Sequence, residues 1–118
     1  MFKFTGFTEK ANKSLNAAVK AAEDLGHTYI GSEHILLGLL SDTSTVAGAV
    51  LAAHNITYAD IEEELKRSIG VGVPTELQPD DFTPRSKNIL KTPVALARQM
   101  GQQLAGTEHV LPAIAREG

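Results

Sequence analysis

The sequence contains one passage twice. Phe7-Thr8 returns as Phe82-Thr83, and Gly31-Ser32-Glu33-His34-Ile35-Leu36 returns as Gly106-Thr107-Glu108-His109-Val110-Leu111. Both pairs are 75 residues apart, and Leu15/Leu90, Val19/Val94, Ala22/Ala97 and Gly26/Gly101 fall on the same offset without a gap. A fixed period of this kind marks a supersecondary unit used more than once. The fold must therefore hold two copies of one unit in a chain of 118 residues.

Each copy has the spacing of helices. Thr8 is placed as an N-cap, and Ala11, Leu15, Ala18, Val19, Ala22 and Leu25 follow at helical intervals. Gly26 suits the left-handed position that ends a helix. After a short connection, Ser32 is expected to cap a second helix carrying Ile35, Leu36, Leu39 and Leu40. The polar run Ser41-Asp42-Thr43-Ser44 precedes a third segment, Val46 to Ala53, that ends at His54-Asn55. Thr57 begins a fourth, with Asp60 at the capping-box distance, Ile61, Leu65 and Ile69 on one face, and Gly70 at its end. The first unit thus spans about residues 7–70. A Gly- and Pro-bearing linker covers 71–81.

Thr83-Pro84 opens the second unit, with Pro at the first helical position. Pro93 and Pro112 lie inside its two helices, and an interior Pro costs about 3 kcal/mol, so a bend or early stop is expected at each. By the offset, a fourth helix of the second unit would end at 145, so residues 82–118 read as a partial unit of about two helices. Apolar faces left without their two missing helices are expected to promote self-association.

Composition narrows the chemistry. With 42% hydrophobic and 21% charged residues the chain is globular in type, and without Trp its core is built mainly from small aliphatics. The absence of Cys excludes disulfides and thiolate metal sites. A net charge of -3 argues against a nucleic-acid surface, and no apolar run reaches membrane-span length. No phosphate loop, H-E-x-x-H or nucleophile–base arrangement is present, so neither a metal site nor a catalytic residue is expected. His34, His109, His27 and His54 read as structural, and Phe7 and Phe82 as core residues between the repeats. Glu62–Lys66 and Glu63–Arg67 are expected as ion pairs on the solvated face of the fourth helix.

The G-[ST]-E-H-[IV]-L element, present twice downstream of F-T, resembles the Clp repeat. The chain is similar along nearly its whole length to the N-terminal domain of the Clp (Hsp100) unfoldases, most closely the ClpC branch. The resemblance implies an all-α domain of two pseudo-symmetric four-helix repeats, the second truncated here after about two helices, within a single domain 1–118. It implies a cytoplasmic, non-catalytic module that receives protein substrates and adaptor proteins for AAA+ ATPase modules and a protease. ATP would belong to the parent's ATPase modules, which this sequence lacks, so no cofactor is expected in this chain. The matching glutamates of ClpC-like domains receive phosphorylated arginine. The candidate ligand-binding residues are therefore Thr8, Glu33, Thr83 and Glu108.

The first helix, about 18 residues or roughly 27 Å long, separates Thr8 from Glu33. Two cross-repeat sites follow, Thr8 with Glu108 and Thr83 with Glu33. Lys10, Arg85 and Lys87 are the nearby cations, while Asp81 would repel a phosphate. Alternative readings are an apolar-segment-binding domain of a disaggregase-type Clp chaperone and a stand-alone regulatory Clp-repeat protein.

Overall fold

A Thr or Gly precedes most of the helices, and the backbone there behaves as the capping pattern dictates. Thr8 Oγ1 accepts from Ala11 N–H at 3.2 Å and Thr83 Oγ1 from Ser86 N–H at 3.1 Å. Gly26 and Gly101, 75 residues apart, both take positive φ, 72° and 77°, immediately past the helices they end. The computed structural model describes residues 1–117. It contains six α-helices: α1 Glu9–Asp24, α2 Ser32–Leu40, α3 Val46–Ala53, α4 Tyr58–Ser68, α5 Pro84–Gln99 and α6 Thr107–Glu117. A 3-10 turn, Pro79–Asp81, precedes α5.

The two repeats are joined by a pair of reciprocal bridges. Phe7 pairs with Ala105, and Ile30 with Phe82. The offset carries Phe7 to Phe82 and Ile30 to Ala105, so each bridge is the image of the other under a pseudo-twofold axis. The hydrogen bonds match as well. Thr8 N–H donates to Ala105 O at 2.8 Å and Ala105 N–H to Gly6 O at 2.8 Å. Thr83 N–H donates to Ile30 O at 3.0 Å and Ile30 N–H to Asp81 O at 2.9 Å.

One core runs through both repeats and includes Phe7, Leu15, Val19, Ile35, Leu39, Leu51, Phe82, Ile89 and Val110. A smaller cluster, Ala21, Leu25, Leu37 and Leu65, sits between α1, α2 and α4. The helix α3 crosses between repeats and packs on α6, where Ala47 N–H donates to Thr107 Oγ1 at 3.2 Å.

Four expectations are corrected. The N-cap of α2 is Gly31, not Ser32. The reason is His34, whose Nδ1 accepts from Gly31 N–H at 2.9 Å and so fixes the helix start one residue earlier. Neither Pro93 nor Pro112 stops its helix. Pro93 is almost fully buried, and its packing offsets the one hydrogen bond it removes. Arg67 pairs with Glu64 at 2.7 Å rather than with Glu63, while Lys66 meets Glu62 at 3.6 Å as expected. Ile69 is 44% exposed, because α4 ends before it and the chain turns away at Gly70.

Candidate functional site

Thr8 and Glu108 line one cleft of about 370 Å³, together with Glu9, Lys10, Ser44, Thr45, Val46, Gly106 and Thr107. These residues are the N-terminal starts of three helices, α1, α3 and α6. Helix starts present N–H groups and the positive end of the helix dipole, which suits an anion. Lys10 adds a cation to the cleft, and Glu9 and Glu108 add carboxylates.

Local bonds order each wall. The α1 wall is tied to the second repeat through Thr8 N–H and Ala105 O. At the α3 wall, Asp42 Oδ1 accepts from Ser44 N–H at 2.9 Å and from Ser44 Oγ–H at 2.6 Å. Those bonds from Ser44 hold the Asp42 carboxyl below its usual range, with smaller help from Lys10 and Lys13. Thr45 Oγ1 caps α3 by accepting from Gly48 N–H at 3.0 Å. At the α6 wall, Gly106 N–H donates to His109 Nδ1 at 2.9 Å, and the Glu108 carboxylate folds over Gly106 so closely that a Cβ there would collide with it.

For the other two candidate residues, the second bridge ties the Thr83 backbone to the turn that leads to Glu33, and no cleft lined by both is described. Thr83 bonds Ile30, three residues before Glu33. Arg85 stands at the offset of Lys10 and is exposed. Asp81 is turned toward the 3-10 turn, where its Oδ2 accepts from Gln78 N–H at 2.8 Å.

The histidines close helix starts in both repeats. His34 and His109 each accept the N–H of the glycine three residues before them. His34 goes further: its Nε2 lies 2.7 Å from His27 Nδ1, and His27 Nε2 lies 2.8 Å from Gly70 O. Burial, reinforced by the neighbouring His27, lowers the His34 pKa from 6.5 to about 4. His109 has no such partner, and its buried Nε2 makes no hydrogen bond among the described residues. The sequence contains the signal for this difference, since His27 is answered at the offset by Gln102. No sequence signal identified Ser44, Thr45 and Val46 as part of the cleft, because α3 reaches it only through packing between repeats.

Among the described residues no group of three or more His, Cys, Asp or Glu is placed to hold a metal, and no helix is long and apolar enough to cross a membrane.

Comparison with known proteins agrees with this architecture. Residues 6–118 match the family model described as the Clp repeat (R) N-terminal domain. The chain is 40% identical over 115 residues to an ATP-dependent Clp protease ATP-binding subunit ClpA homolog of Porphyra purpurea, covering 98% of this chain and 14% of that protein. It is 40% identical over 116 residues to chaperone protein ClpB of Oceanobacillus iheyensis, with coverage of 98% and 14%. The chain thus spans about one seventh of the length of these relatives. Among solved structures it is similar to the N-terminal domain of the ClpD chaperone from Arabidopsis thaliana, with a TM-score of 0.71, 23% identity and coverage of 96% and 77%. It also resembles the Hsp104 N-terminal domain from Candida albicans, with a TM-score of 0.67, 18% identity and coverage of 92% and 72%. With its doubled G-[ST]-E-H-[IV]-L element, its reciprocal bridges and a family match over nearly its full length, the chain belongs to the Clp repeat N-terminal domain family.

Proposed function

We propose that this domain receives protein substrates and adaptors for an ATP-dependent Clp unfoldase and its protease, and that its cleft takes phosphoarginine-marked polypeptide. The ATPase modules would lie in the parent protein, and this domain would contribute binding and no catalysis. A cytoplasmic location belongs to the same reading.

One observation carries the ligand. The cleft joins three helix starts and Lys10 to the carboxylate of Glu108. Phosphoarginine has the matching polarity, an anionic phosphoryl group on a guanidinium. Helix N–H groups and Lys10 suit the phosphoryl group, and Glu108 suits the guanidinium N–H groups. Thr83 and Glu33 form the second site of the same reading.

Calorimetry with free phosphoarginine tests this. Heat of binding is expected at millimolar ligand or below. Glu108→Ala should weaken the site at Thr8 and Glu108 by about ten- to a hundredfold, in line with the loss of one charge-assisted hydrogen bond, roughly 1.5–3 kcal/mol. Glu33→Ala should affect only the site at Thr83 and Glu33. No heat at millimolar ligand, or unchanged affinity in both variants, would refute the ligand.

A second reading has its own observation. Val46 and Val50 are 54% and 41% exposed on α3, beside the cleft. Such a surface favours apolar segments of unfolded protein, as expected of a disaggregase-type domain. Binding to an unfolded polypeptide that phosphoarginine does not displace would support it.

A further inference from the structure

The segment after α4 lies across the α1–α2 connection, and ahead of Leu77 it is held there mainly by hydrogen bonds. Gly72 N–H donates to Leu25 O at 2.8 Å and Thr75 N–H to Glu23 O at 3.3 Å. Leu77 N–H donates to Glu23 Oε2 at 2.8 Å. Val71 and Val73 contribute little to it, being 61% and 82% exposed, and the apolar anchor of the segment is Leu77 at its far end, 4% exposed and part of the core. Gly26 and Gly72 touch backbone to backbone, a contact that leaves no room for a Cβ on either residue.

The remaining tie is the histidine chain, and its hydrogens can be assigned by elimination. His34 Nδ1 receives the Gly31 N–H, so it carries no proton, and the ring proton is on Nε2. That Nε2–H points at His27 Nδ1, which must accept, so the His27 proton is on Nε2 and is donated to Gly70 O. One direction of donation runs from Gly31 to Gly70, and it requires both rings to be neutral. A proton added at either Nδ1 sets two donors against each other.

No carboxylate among the described residues is paired with either ring to compensate a positive charge. Tyr29 stacks on His27 at 6.3 Å and meets His34 edge-on at 5.8 Å. The segment side, Ile69 to Gly72, is uncharged. At the end of α1, Glu23 is taken by Leu77 N–H and Asp24 by Lys20. In α4, Lys66 and Arg67 pair with Glu62 and Glu64. Glu33 Oε2 and His34 Nδ1 both border the space beside Gly31, 3.5 Å and 3.7 Å from where a Cβ would stand, but form no ion pair. Arg85 and Lys87 at the start of α5 are exposed. Among the described residues neither ring has a carboxylate within ion-pair distance.

We propose that the His34–His27–Gly70 chain is an acid-sensitive latch, and that proton uptake releases residues 70–76 from the α1–α2 connection while the helices stay folded. The same chain fixes the start of α2, so release also loosens the turn that carries Ser32 and Glu33. The second repeat has Gln102 in place of His27 and carries no such latch.

Amide hydrogen exchange on the whole chain tests the latch, with rates corrected for the intrinsic effect of pH. The His34 ring titrates near 6.5 when released and near 4 when latched. Opening should then increase about twentyfold between pH 7 and pH 5. Protection of the Gly72 and Thr75 amides should fall by that factor and should stay well below that of α1 amides, which open only with global unfolding, at both pH values. His27→Gln should give low protection at both pH values and no pH response. Unchanged protection of Gly72 and Thr75 in the wild type would overturn the latch. So would protection of Gly72 and Thr75 as high as that of α1 amides at both pH values, which would mean that the segment opens only with global unfolding, or a pH response surviving in His27→Gln. Should that variant fail to fold, ring nitrogen shifts of the wild type decide: both rings must be the Nε2–H tautomer at pH 7.

Discussion

His34 shows how one buried side chain can make a helical domain sensitive to acid. Its ring is fully enclosed, its Nδ1 is committed to Gly31, and its pKa is pushed down to about 4. In the unfolded chain the same ring titrates near 6.5. Between these values the unfolded state binds a proton that the folded state refuses, so stability falls as pH falls. The contribution is complete above about pH 6.5, shrinks through the window, and is gone below about pH 4. Urea unfolding at pH 7, 6, 5 and 4.5 should show a falling midpoint at constant slope, with a total loss on the order of 2 kcal/mol. A midpoint independent of pH across that window would exclude the assignment. The structural role of both conserved-in-repeat histidines was readable from their position just inside a helix. The His27 partner was not, since a contact between residues 27 and 34 across a turn leaves no periodic trace.

At the scale of elements, the α1–α2 hairpin depends on one glycine. Gly38 lies against α1, where an added Cβ would collide with the carbonyl of Ser14 and come within 2.9 Å of Ala18 N and 3.0 Å of Ala18 Cβ. These are backbone atoms and a buried methyl on a helix that cannot yield locally. Gly38→Ala gains roughly 1 kcal/mol of helix propensity, yet overpacking costs typically 1–3 kcal/mol, and here the obstacle is main chain. A net loss of about 2 kcal/mol is expected in thermal or urea unfolding; a stabilised variant would show that the helices can move apart freely. Helix ends at Thr8, Thr57, Thr83, Gly26 and Gly70 were legible because capping is local chemistry. Continuity through Pro93 was not legible, because it depends on burial against other elements. The shift of the α2 cap to Gly31 follows from a side chain three residues on, a His standing where a capping box usually has Glu.

At the scale of the molecule, the 75-residue offset made the cross-repeat adjacency of Thr8 with the α6 turn and of Thr83 with the α2 turn foreseeable. The α3 wall of the cleft stayed hidden, since periodicity orders helices within a unit and is silent on which of them reaches the other unit. The reciprocal bridges also determine how the domain unfolds. Phe82 is 4% exposed, stands edge-on to Phe4 at 5.9 Å, and belongs to the same core as Leu15 and Val19 of α1 and Ile89 of α5. A cavity there removes contacts from both repeats at once. Phe82→Ala should therefore cost about 3–5 kcal/mol, with unfolding still a single transition. Exchange at α1 and α5 amides should accelerate by the same factor, because neither repeat keeps a closed core without the other. If α1 kept its protection while α5 lost its own, the repeats would be independent units merely touching at Phe7 and Phe82. A shared loss makes the bridge the point where two incomplete cores become one, and the cleft at Thr8 and Glu108 exists only while that bridge is closed.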